Sequence, residues 1–161
     1  MKKKILILAP HADDEVLGCG GTISRYAKEG KEVNVLILTN ANNGAPEIYS
    51  KKEIKKIRNE SKLANDFIGT KKLFFENLPA LTLGQYPLYK ISNIISKYIS
   101  KIKPEVVFLP SSNDIHADHK IIFHAAKVSL RFLKKNNLKK ILSYEVLSET
   151  EWNEDEKSFS P

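Results

Sequence analysis

The chain of 161 residues has a net charge of +7 and a single cysteine, Cys19, which predicts one domain that folds in a reducing compartment without disulfide bonds. Because nearly all of its basic residues are lysines, it lacks the arginine forks typical of nucleic-acid binding, and we expect no nucleic-acid partner. No apolar run approaches the roughly 20 residues of a membrane span or the roughly 7–15 of a secretion signal. We therefore expect a cytoplasmic protein without an integral membrane segment.

Five apolar runs alternate with four segments of helical periodicity. The runs are nearly continuous, which is typical of parallel strands buried on both faces. Their order predicts an α/β fold: a Rossmann-like, doubly wound, mainly parallel sheet with helices on both faces. We predict strands at Ile5–Ala9, Val33–Leu38, Leu73–Phe75, Val106–Leu109 and Ile141–Val146, helices at Val16–Glu29, Lys51–Ile68, Leu88–Ile102 and Asp118–Leu133, and loops at Asn40–Pro46, Leu78–Pro87 and Pro110–Ile115.

The first predicted strand leads directly into Pro10-His11-Ala12-Asp13-Asp14-Glu15. His11 and Asp14 are three residues apart at a strand-to-helix turn, so an imidazole nitrogen and a carboxylate oxygen can reach one cation. Asp13 adds a second carboxylate beside them. Such clustering of charge is costly unless a metal ion relieves the repulsion.

A glycine run, Gly18-Cys19-Gly20-Gly21, follows inside the first predicted helix. In a dinucleotide-binding fingerprint the glycines occupy the turn directly after the first strand. Here that turn contains two carboxylates, which would repel a pyrophosphate. We therefore predict that the glycines allow close packing of the helix on the sheet and that Cys19 is a small buried side chain.

Lysines are concentrated in two stretches, 51–56 and 134–140. In the simplest interpretation they form the solvated faces of predicted helices. The alternative interpretation is that they attract anionic substrates or a membrane surface.

The fourth predicted strand is followed by His-Ala-Asp-His at 116–119, where the last predicted helix begins. On a helical wheel, Ile121, Ala125 and Val128 fall in one apolar stripe. His119 is about 160° from the first residue of that stripe. We therefore expect His119 to point away from the sheet and into the crevice at the carboxyl ends of the strands, where open α/β sheets place their sites.

Two imidazoles and one carboxylate, from His11, Asp14 and His119, form the usual ligand set of a catalytic zinc site with an open position for water. Because the set contains no sulfur, Fe²⁺, Mn²⁺ or Co²⁺ would also fit. The fourth histidine, His124, flanks the predicted apolar stripe, and we expect it to be packed or exposed rather than a ligand.

The remaining polar groups of the two motifs predict hydrolysis. A cation at this position would lower the pKa of a bound water to about 7, and Asp13 beside it is placed to act as general base. His116, oriented by Asp118, is expected to stabilise an oxyanion or to protonate a leaving amine. These parts together predict attack of water on the carbonyl of an amide or an ester.

At these residues the chain resembles the LmbE-like, or PIG-L, family of metal-dependent N-deacetylases. The family motifs are Pro-His-Pro-Asp-Asp-Glu and His-Pro-Asp-His, and in this chain alanine replaces the second proline of the first motif and the proline of the second. The resemblance extends through almost the whole chain. It also covers Leu17–Gly21, Arg58, Glu60, Ile68, Gly69 and Asp114.

The resemblance implies removal of an acetyl group from an N-acetylglucosamine conjugate, so that the partner is a small-molecule N-acetylated sugar conjugate. It leaves homo-oligomerisation open. Because family chains usually continue with a further strand and helix, it implies a single LmbE-like domain over residues 1–161 that lacks the usual C-terminal segment. By this resemblance the zinc ligands are His11, Asp14 and His119, the general base is Asp13, the oxyanion-side pair is His116 and Asp118, and the substrate-binding residue is Arg58.

Two other functions stay open at the level of sequence. The first is an amidase or esterase that acts on a non-sugar substrate with the same site. The second is a non-catalytic module that binds a nucleotide or a sugar phosphate, for which the glycine run and the basic surface would be responsible.

Overall fold

The computed structural model describes residues 2–131 and 138–147, which form a five-stranded parallel sheet with helices on both faces. The predicted α/β, doubly wound architecture is confirmed, although the last two residues of the final predicted helix lie outside the described residues. No helix in the described ranges is both long enough and apolar enough to cross a membrane. The strands are β1 (Lys4–Ala9), β2 (Glu32–Asn40), β3 (Lys72–Pro79), β4 (Val106–Pro110) and β5 (Lys140–Tyr144). The helices are α1 (Asp14–Lys28), α2 (Ala41–Gly44), α3 (Lys51–Ile68), α4 (Leu88–Ile102) and α5 (Ala117–Leu130).

The strands lie in the order β3-β2-β1-β4-β5. The chain builds outward from β1 to β3 and then returns to the other side of β1 for β4 and β5. In the central strand β1, Ile7 therefore pairs with Val35 of β2 on one side and with Phe108 of β4 on the other. The order reverses between β1 and β4, which is the point where α/β sheets bind their ligands.

Both faces of the sheet are covered by apolar side chains. Leu6 and Leu8 of β1 pack in a cluster with residues of α4 and α5. Ile5 and Ile7 alternate with them and pack in a second cluster with residues of α1. This explains why β1, β2 and β4 read as unbroken apolar runs, and each such buried side chain contributes about 1.5–3 kcal/mol to folding.

Local signals set the ends of α3 at the predicted residues. Ser50 and Glu53 form a capping box at its start, with each side chain bonded to the other's backbone N–H. Gly69 ends the helix with φ of 90°, a left-handed conformation that glycine adopts without steric cost. The helix carries Ile54 and Arg58 to the carboxyl edge of the sheet, where both line a cavity.

Several boundaries differ from the predictions, and β5 ends at Tyr144 rather than Val146. The predicted loop at 40–46 contains the short helix α2, and β3 is longer than its apolar run because it pairs with β2 as far as Pro79. Helix α1 begins at Asp14 rather than Val16, since the carbonyl of Asp13 already accepts the N–H groups of Val16 and Leu17 at 3.0 and 2.9 Å. These differences arise from pairing and capping, which apolar periodicity does not report.

The glycine run packs as predicted at one position. A Cβ atom on Gly18 would lie 2.7 Å from the carbonyl oxygen of Glu145 and would also overlap the Tyr144 ring, so only glycine fits there. Gly21 has open space around it. Cys19 is buried, as expected.

Of the apolar stripe predicted for α5, Ala125 is buried and Ile121 packs against the core, but the stripe is misplaced on the helix. Its buried side is centred on Ile122, Ala125 and Ala126, whereas Val128 is 38% exposed. His119 is fully buried on this same side rather than pointing away from it. The physical reason is that α5 packs against α4 as well as the sheet, which the hydrogen bond from Ser129 of α5 to the α4 backbone reflects, so its buried face is wider than one stripe.

Candidate active site

The carboxyl ends of β1 and β4 bring the two predicted motifs together. His11 follows β1, Asp14 is the first residue of α1, and His119 lies in the first turn of α5. The Nδ1 atom of His11 lies 3.2 Å from the Nε2 atom of His119, although the two residues are 108 positions apart in the chain. The two motifs therefore converge on one point.

The predicted metal ligands have the spacing that a tetrahedral cation requires. Asp14 Oδ2 lies 3.2 Å from His119 Nε2 and 3.4 Å from His11 Nδ1. Zinc bonds of about 2.0–2.2 Å place neighbouring ligand atoms of a tetrahedron about 3.3–3.5 Å apart. The three donor atoms thus fit one face of such a site, and a fourth position remains for water or substrate.

His116 offers an alternative ligand at the same place. Ligand atoms of His11, His116 and His119 all lie within 4.8 Å of one another. The Nδ1 atom of His116 accepts the backbone N–H of Asp118 at 3.1 Å. A cation or a substrate would therefore contact His116 through its Nε2 atom.

Carboxylates surround the half-buried imidazole of His11 and the buried imidazole of His119 and favour positive charge on them. Burial acts to lower the pKa of His11, but hydrogen bonds with Asp118 and Asp14 outweigh it and raise the pKa to about 10. Burial likewise opposes protonation of His119, and hydrogen bonds with Asp114 and Asp14 raise its pKa to about 9. These carboxylates would equally stabilise a divalent cation, which would replace the positive charge of the two protonated imidazoles.

The adjacent carboxyl groups of Asp13 and Asp14 differ in basicity. Burial acts to raise the pKa of Asp14, but hydrogen bonds with His11 and His119 hold it below the usual range. The pKa of Asp13 is raised by desolvation and by the negative charge of Asp14. Two neighbouring carboxyls with opposite shifts are typical of a site in which one binds charge and the other moves a proton.

Asp114 is a site residue to which the sequence analysis gave no role. Its Oδ2 atom lies 2.8 Å from His119 Nδ1, and its Oδ1 atom accepts the backbone N–H of His116 at 3.3 Å. The carboxylate is fully buried. Imidazoles that bind metals usually donate their other N–H to such a carboxylate. The signal that could have identified it is an acidic residue in the loop just before a predicted ligand histidine.

Asp118 pairs differently from the prediction. Its Oδ2 atom lies 3.1 Å from His11 Nε2 and accepts the backbone N–H of Leu81 at 2.8 Å. The hydrogen bond of His116 is to the Asp118 main chain instead, because His116 is the N-cap of α5 and its ring turns back over the first turn. Leu81 has φ of 67°, and no pattern in the sequence points to its role.

The cluster opens onto a cavity of about 270 Å³. Asp118 and His119 are buried behind its wall. The predicted site residues that line it are His11, Asp13, Asp14, Arg58 and His116. Its apolar wall consists of Ile37, Ile54, Ile57, Phe75 and Leu81. His124 is exposed on α5 and is not part of this lining.

Arg58 lines this cavity from α3. Its Nη2 atom donates to the carbonyl oxygen of Glu76 at 2.6 Å and to Asn77 Oδ1 at 2.9 Å. The guanidinium lies 4.9 Å from the centre of the Phe75 ring. Burial lowers the pKa of Arg58, but a guanidinium remains charged at neutral pH. The side chain is therefore a fixed positive group at the edge of the active-site cavity.

Glu15 connects the ligand-bearing turn to α3. Its Oε1 atom accepts hydrogen bonds from Asn65 at 2.6 Å and from Ser61 at 3.2 Å. The side chain is fully buried, its Oε2 atom has no hydrogen-bond partner among the described residues, and burial raises its pKa to about 7. The residue that follows the predicted ligand Asp14 is thus held in place by the helix that carries Arg58.

Residues 6–130 match the family described as PIG-L: GlcNAc-PI de-N-acetylase, and this range contains both motifs and every residue of the site. The chain belongs to the PIG-L, or LmbE-like, family. The resemblance seen in the two motifs thus extends over most of the sequence.

Relatives within the family carry deacetylase names. The chain is 28% identical over 151 residues to the uncharacterized deacetylase YaiS of Escherichia coli K12. The aligned region covers 91% of this chain and 76% of that protein. It is 29% identical over 126 residues to the diacetylchitobiose deacetylase of Thermococcus kodakarensis. This aligned region covers 73% of this chain and 45% of that protein.

A solved structure supports the same assignment. The N,N'-diacetylchitobiose deacetylase of Pyrococcus horikoshii superposes with a TM-score of 0.71 and 29% identity, over 81% of this chain and 50% of that one. The chain thus spans between about half and three quarters of the length of these relatives.

Proposed function

We propose that this PIG-L family chain is a metal-dependent hydrolase that removes the acetyl group from an N-acetylglucosamine-type sugar conjugate. The observation that carries the proposal is the set of three donor atoms 3.2–3.4 Å apart beside a cavity that Asp13 and His116 also line. The names of the diacetylchitobiose deacetylases support the acetylated amino sugar as substrate. Cytoplasmic location and homo-oligomerisation stay predictions from the sequence.

His11, Asp14 and His119 would hold the metal. Because the donors are nitrogen and oxygen atoms, we expect zinc, and Fe²⁺, Mn²⁺ or Co²⁺ would also fit. When bound, a divalent cation supplies Lewis acidity, which polarises a carbonyl and makes hydroxide available near neutral pH. Asp118 and Asp114 keep the rings of His11 and His119 in the orientation that this binding requires.

Asp13 acts as the general base. It lines the cavity beside the donor atoms but is not needed as a donor itself. Its raised pKa makes it a better proton acceptor than Asp14. Asp13 therefore takes the proton of the water that attacks the acetyl carbonyl carbon, and positions it for return to the departing amine.

His116 stabilises the negative charge that develops on the acetyl oxygen. Because its Nδ1 atom accepts the backbone N–H of Asp118, a neutral ring carries its proton on Nε2. That N–H is the proposed donor to the oxyanion. Arg58, at the far edge of the same cavity, contacts the sugar or its substituent.

Separate substitutions of the two adjacent aspartates test this division of roles. We expect Asp13→Asn to keep its zinc affinity while turnover falls by about 10²–10⁴-fold, because only the proton acceptor is lost. We expect Asp14→Asn to lose zinc affinity, because a donor atom is lost. Zinc affinity is measured by chelator competition and turnover by acetate release from N,N'-diacetylchitobiose.

Equal loss of zinc affinity in the two variants would contradict the proposed roles. His116→Ala serves as the comparison for the alternative ligand set. Loss of zinc in His116→Ala, with retention in Asp14→Asn, would instead assign a three-imidazole site.

The apolar wall of the cavity favours one second candidate, an amidase or esterase for a non-sugar substrate. Ile37, Ile57 and Phe75 can pack against an aliphatic or aromatic amide as well as against a sugar ring. Acetate release from a panel of N-acetylated sugars and N-acetylated amino acids separates the two substrate classes. A binding module of the dinucleotide type gains no support, since Gly18 packs against Tyr144 instead of facing the crevice.

A further inference from the structure

A second cavity adjoins the active-site cavity. It has a volume of about 440 Å³ and lies between α2 and the first half of α3. Asn40, Ile54 and Arg58 line both cavities. A molecule that fills the active-site cavity can therefore extend into the second one without leaving the protein surface.

The lining of this second cavity is positively charged. Lys51, Lys55 and Arg58 follow one another at the i, i+4, i+7 spacing of one helix face, and all three line the cavity. No acidic side chain belongs to its lining. Glu53, the acidic residue within this stretch of α3, is engaged in the capping box with Ser50. The two lysines form no ion pair with any described residue.

The opposite wall is held in place by asparagine amides. The Nδ2 atom of Asn43 donates to the carbonyl oxygen of Asn77 at 2.8 Å, and that of Asn42 donates to the carbonyl oxygen of Tyr49 at 2.6 Å. Asn40 and Arg58 both donate to the side-chain oxygen of Asn77, each at 2.9 Å. The wall and the guanidinium are thus connected in one network, which orders them before any ligand arrives.

The guanidinium of Arg58 has N–H donors that form no hydrogen bond with the described residues. Arginine has five N–H donors, and both hydrogen bonds of Arg58 within the described part of the chain are made by Nη2. The Nη1 and Nε groups remain for a ligand. Guanidinium groups bind carboxylate and phosphate oxygens in this way, with lysines adding charge from the side.

Resting on the proposed function, we propose that the second cavity is a subsite for an anionic oxygen group, a phosphate or a carboxylate, on the part of the substrate beyond the acetylated sugar. Lys51, Lys55 and Arg58 bind this group while the acetamido group lies beside Asp13 and His11. We call the cavity the basic subsite. It makes the enzyme selective for anionic conjugates over neutral oligosaccharides.

Three derivatives of N-acetylglucosamine test the proposal: the neutral methyl glycoside, the 1-phosphate and the carboxymethyl glycoside. We expect kcat/KM to be higher for at least one anionic derivative than for the neutral one, mainly through KM. The preferred anion tells whether phosphate or carboxylate is the ligand. The preference should fall as salt is raised, since exposed charges are screened.

A pair of double variants locates the effect. We expect Lys51→Gln/Lys55→Gln to reduce the ratio of kcat/KM for the anionic derivative to that for the neutral one by about fivefold or more. Lys52→Gln/Lys56→Gln is the matched control, because it removes the same charge from the same helix outside the cavity lining. The control should retain the ratio.

The outcomes separate this proposal from the proposed function. Equal kcat/KM for all three derivatives, or equal responses of the two double variants, would overturn the basic subsite and leave the deacetylase in place. If none of the derivatives releases acetate, the proposed function fails. Calorimetric binding of N-acetylglucosamine 1-phosphate against the methyl glycoside then decides on the subsite alone, and equal affinities would overturn it.

Discussion

Each imidazole at the centre of the site is bonded to a carboxylate on its far side. Asp114 contacts His119 Nδ1 and Asp118 contacts His11 Nε2. These bonds fix which ring nitrogen faces the shared donor cluster, because a neutral imidazole has one donor and one acceptor nitrogen. Binding of a cation at this point therefore depends on side chains that do not touch it.

Substitution of Asp114 tests this dependence. We expect Asp114→Asn to weaken zinc binding by about 10–100-fold, because the amide no longer stabilises the orientation and basicity of His119. Competition with a chromophoric chelator measures the affinity. His124→Ala is the control, since it removes an exposed imidazole from the same helix. Unchanged affinity in Asp114→Asn would show that the carboxylate has no such effect.

The sequence predicts residues whose partners are close in the chain better than residues whose partners are distant. His11 and Asp14 were identified from their spacing within one turn, and both lie in the cluster. The bond between Asp118 and the backbone of Leu81 could not be predicted, because it depends on where the loop after β3 lies. The partner of His116 was predicted as a side chain and is a main-chain N–H, which only the cap geometry of α5 reveals.

At the scale of elements, the number of neighbours that cover a helix or strand decides how well its buried face can be predicted. The four predicted helices and five predicted strands are all present. β1, β2 and β4 are readable because both of their faces are covered, whereas the apolar run of β5 was predicted although Ile141 and Leu142 are exposed. The face of α5 was misassigned because α4 covers part of it, so that Ile122 and Ala126 are buried and Val128 is exposed. A helical wheel contains no information about a second neighbouring helix.

Two glycines of α1 test the close approach of this helix to the end of β5. We expect Gly18→Ala to destabilise the fold by about 1–3 kcal/mol, because the new methyl group meets the Tyr144 ring and the Glu145 carbonyl. We expect Gly21→Ala to stabilise it by about 0.5–1 kcal/mol, because its surroundings are open and alanine favours the helix. Urea unfolding measures both. Equal effects of the two substitutions would contradict the packing.

At the scale of the whole molecule, the proposed metal ligands come from two separate βα units. His11 and Asp14 belong to β1 and α1, whereas His119 belongs to the unit formed by β4 and α5. The sequence predicted a doubly wound sheet. The strand order of that sheet places β1 and β4 side by side, and this brings the two units together. A cation bound by all three residues would connect the two units.

Zinc should therefore stabilise the folded protein. A ligand present at about 100 times its dissociation constant adds about 2.7 kcal/mol, which raises Tm by roughly 5–10 °C for a domain of this size. Thermal unfolding with zinc and with a chelator measures the shift. His119→Ala should show no such shift, and an equal shift in that variant would place the zinc elsewhere.

The reversal of strand order between β1 and β4 has a consequence for biosynthesis. His11 leaves the ribosome 108 residues before His119, the third of the proposed ligands, which follows only after β2, β3 and β4 have been made. A nascent chain thus displays the first motif while these strands are made, before the proposed ligand set is complete. Under the proposed function, loading with metal would follow the synthesis of β4 and the start of α5, and metal content would measure how many molecules have brought β1 and β4 together.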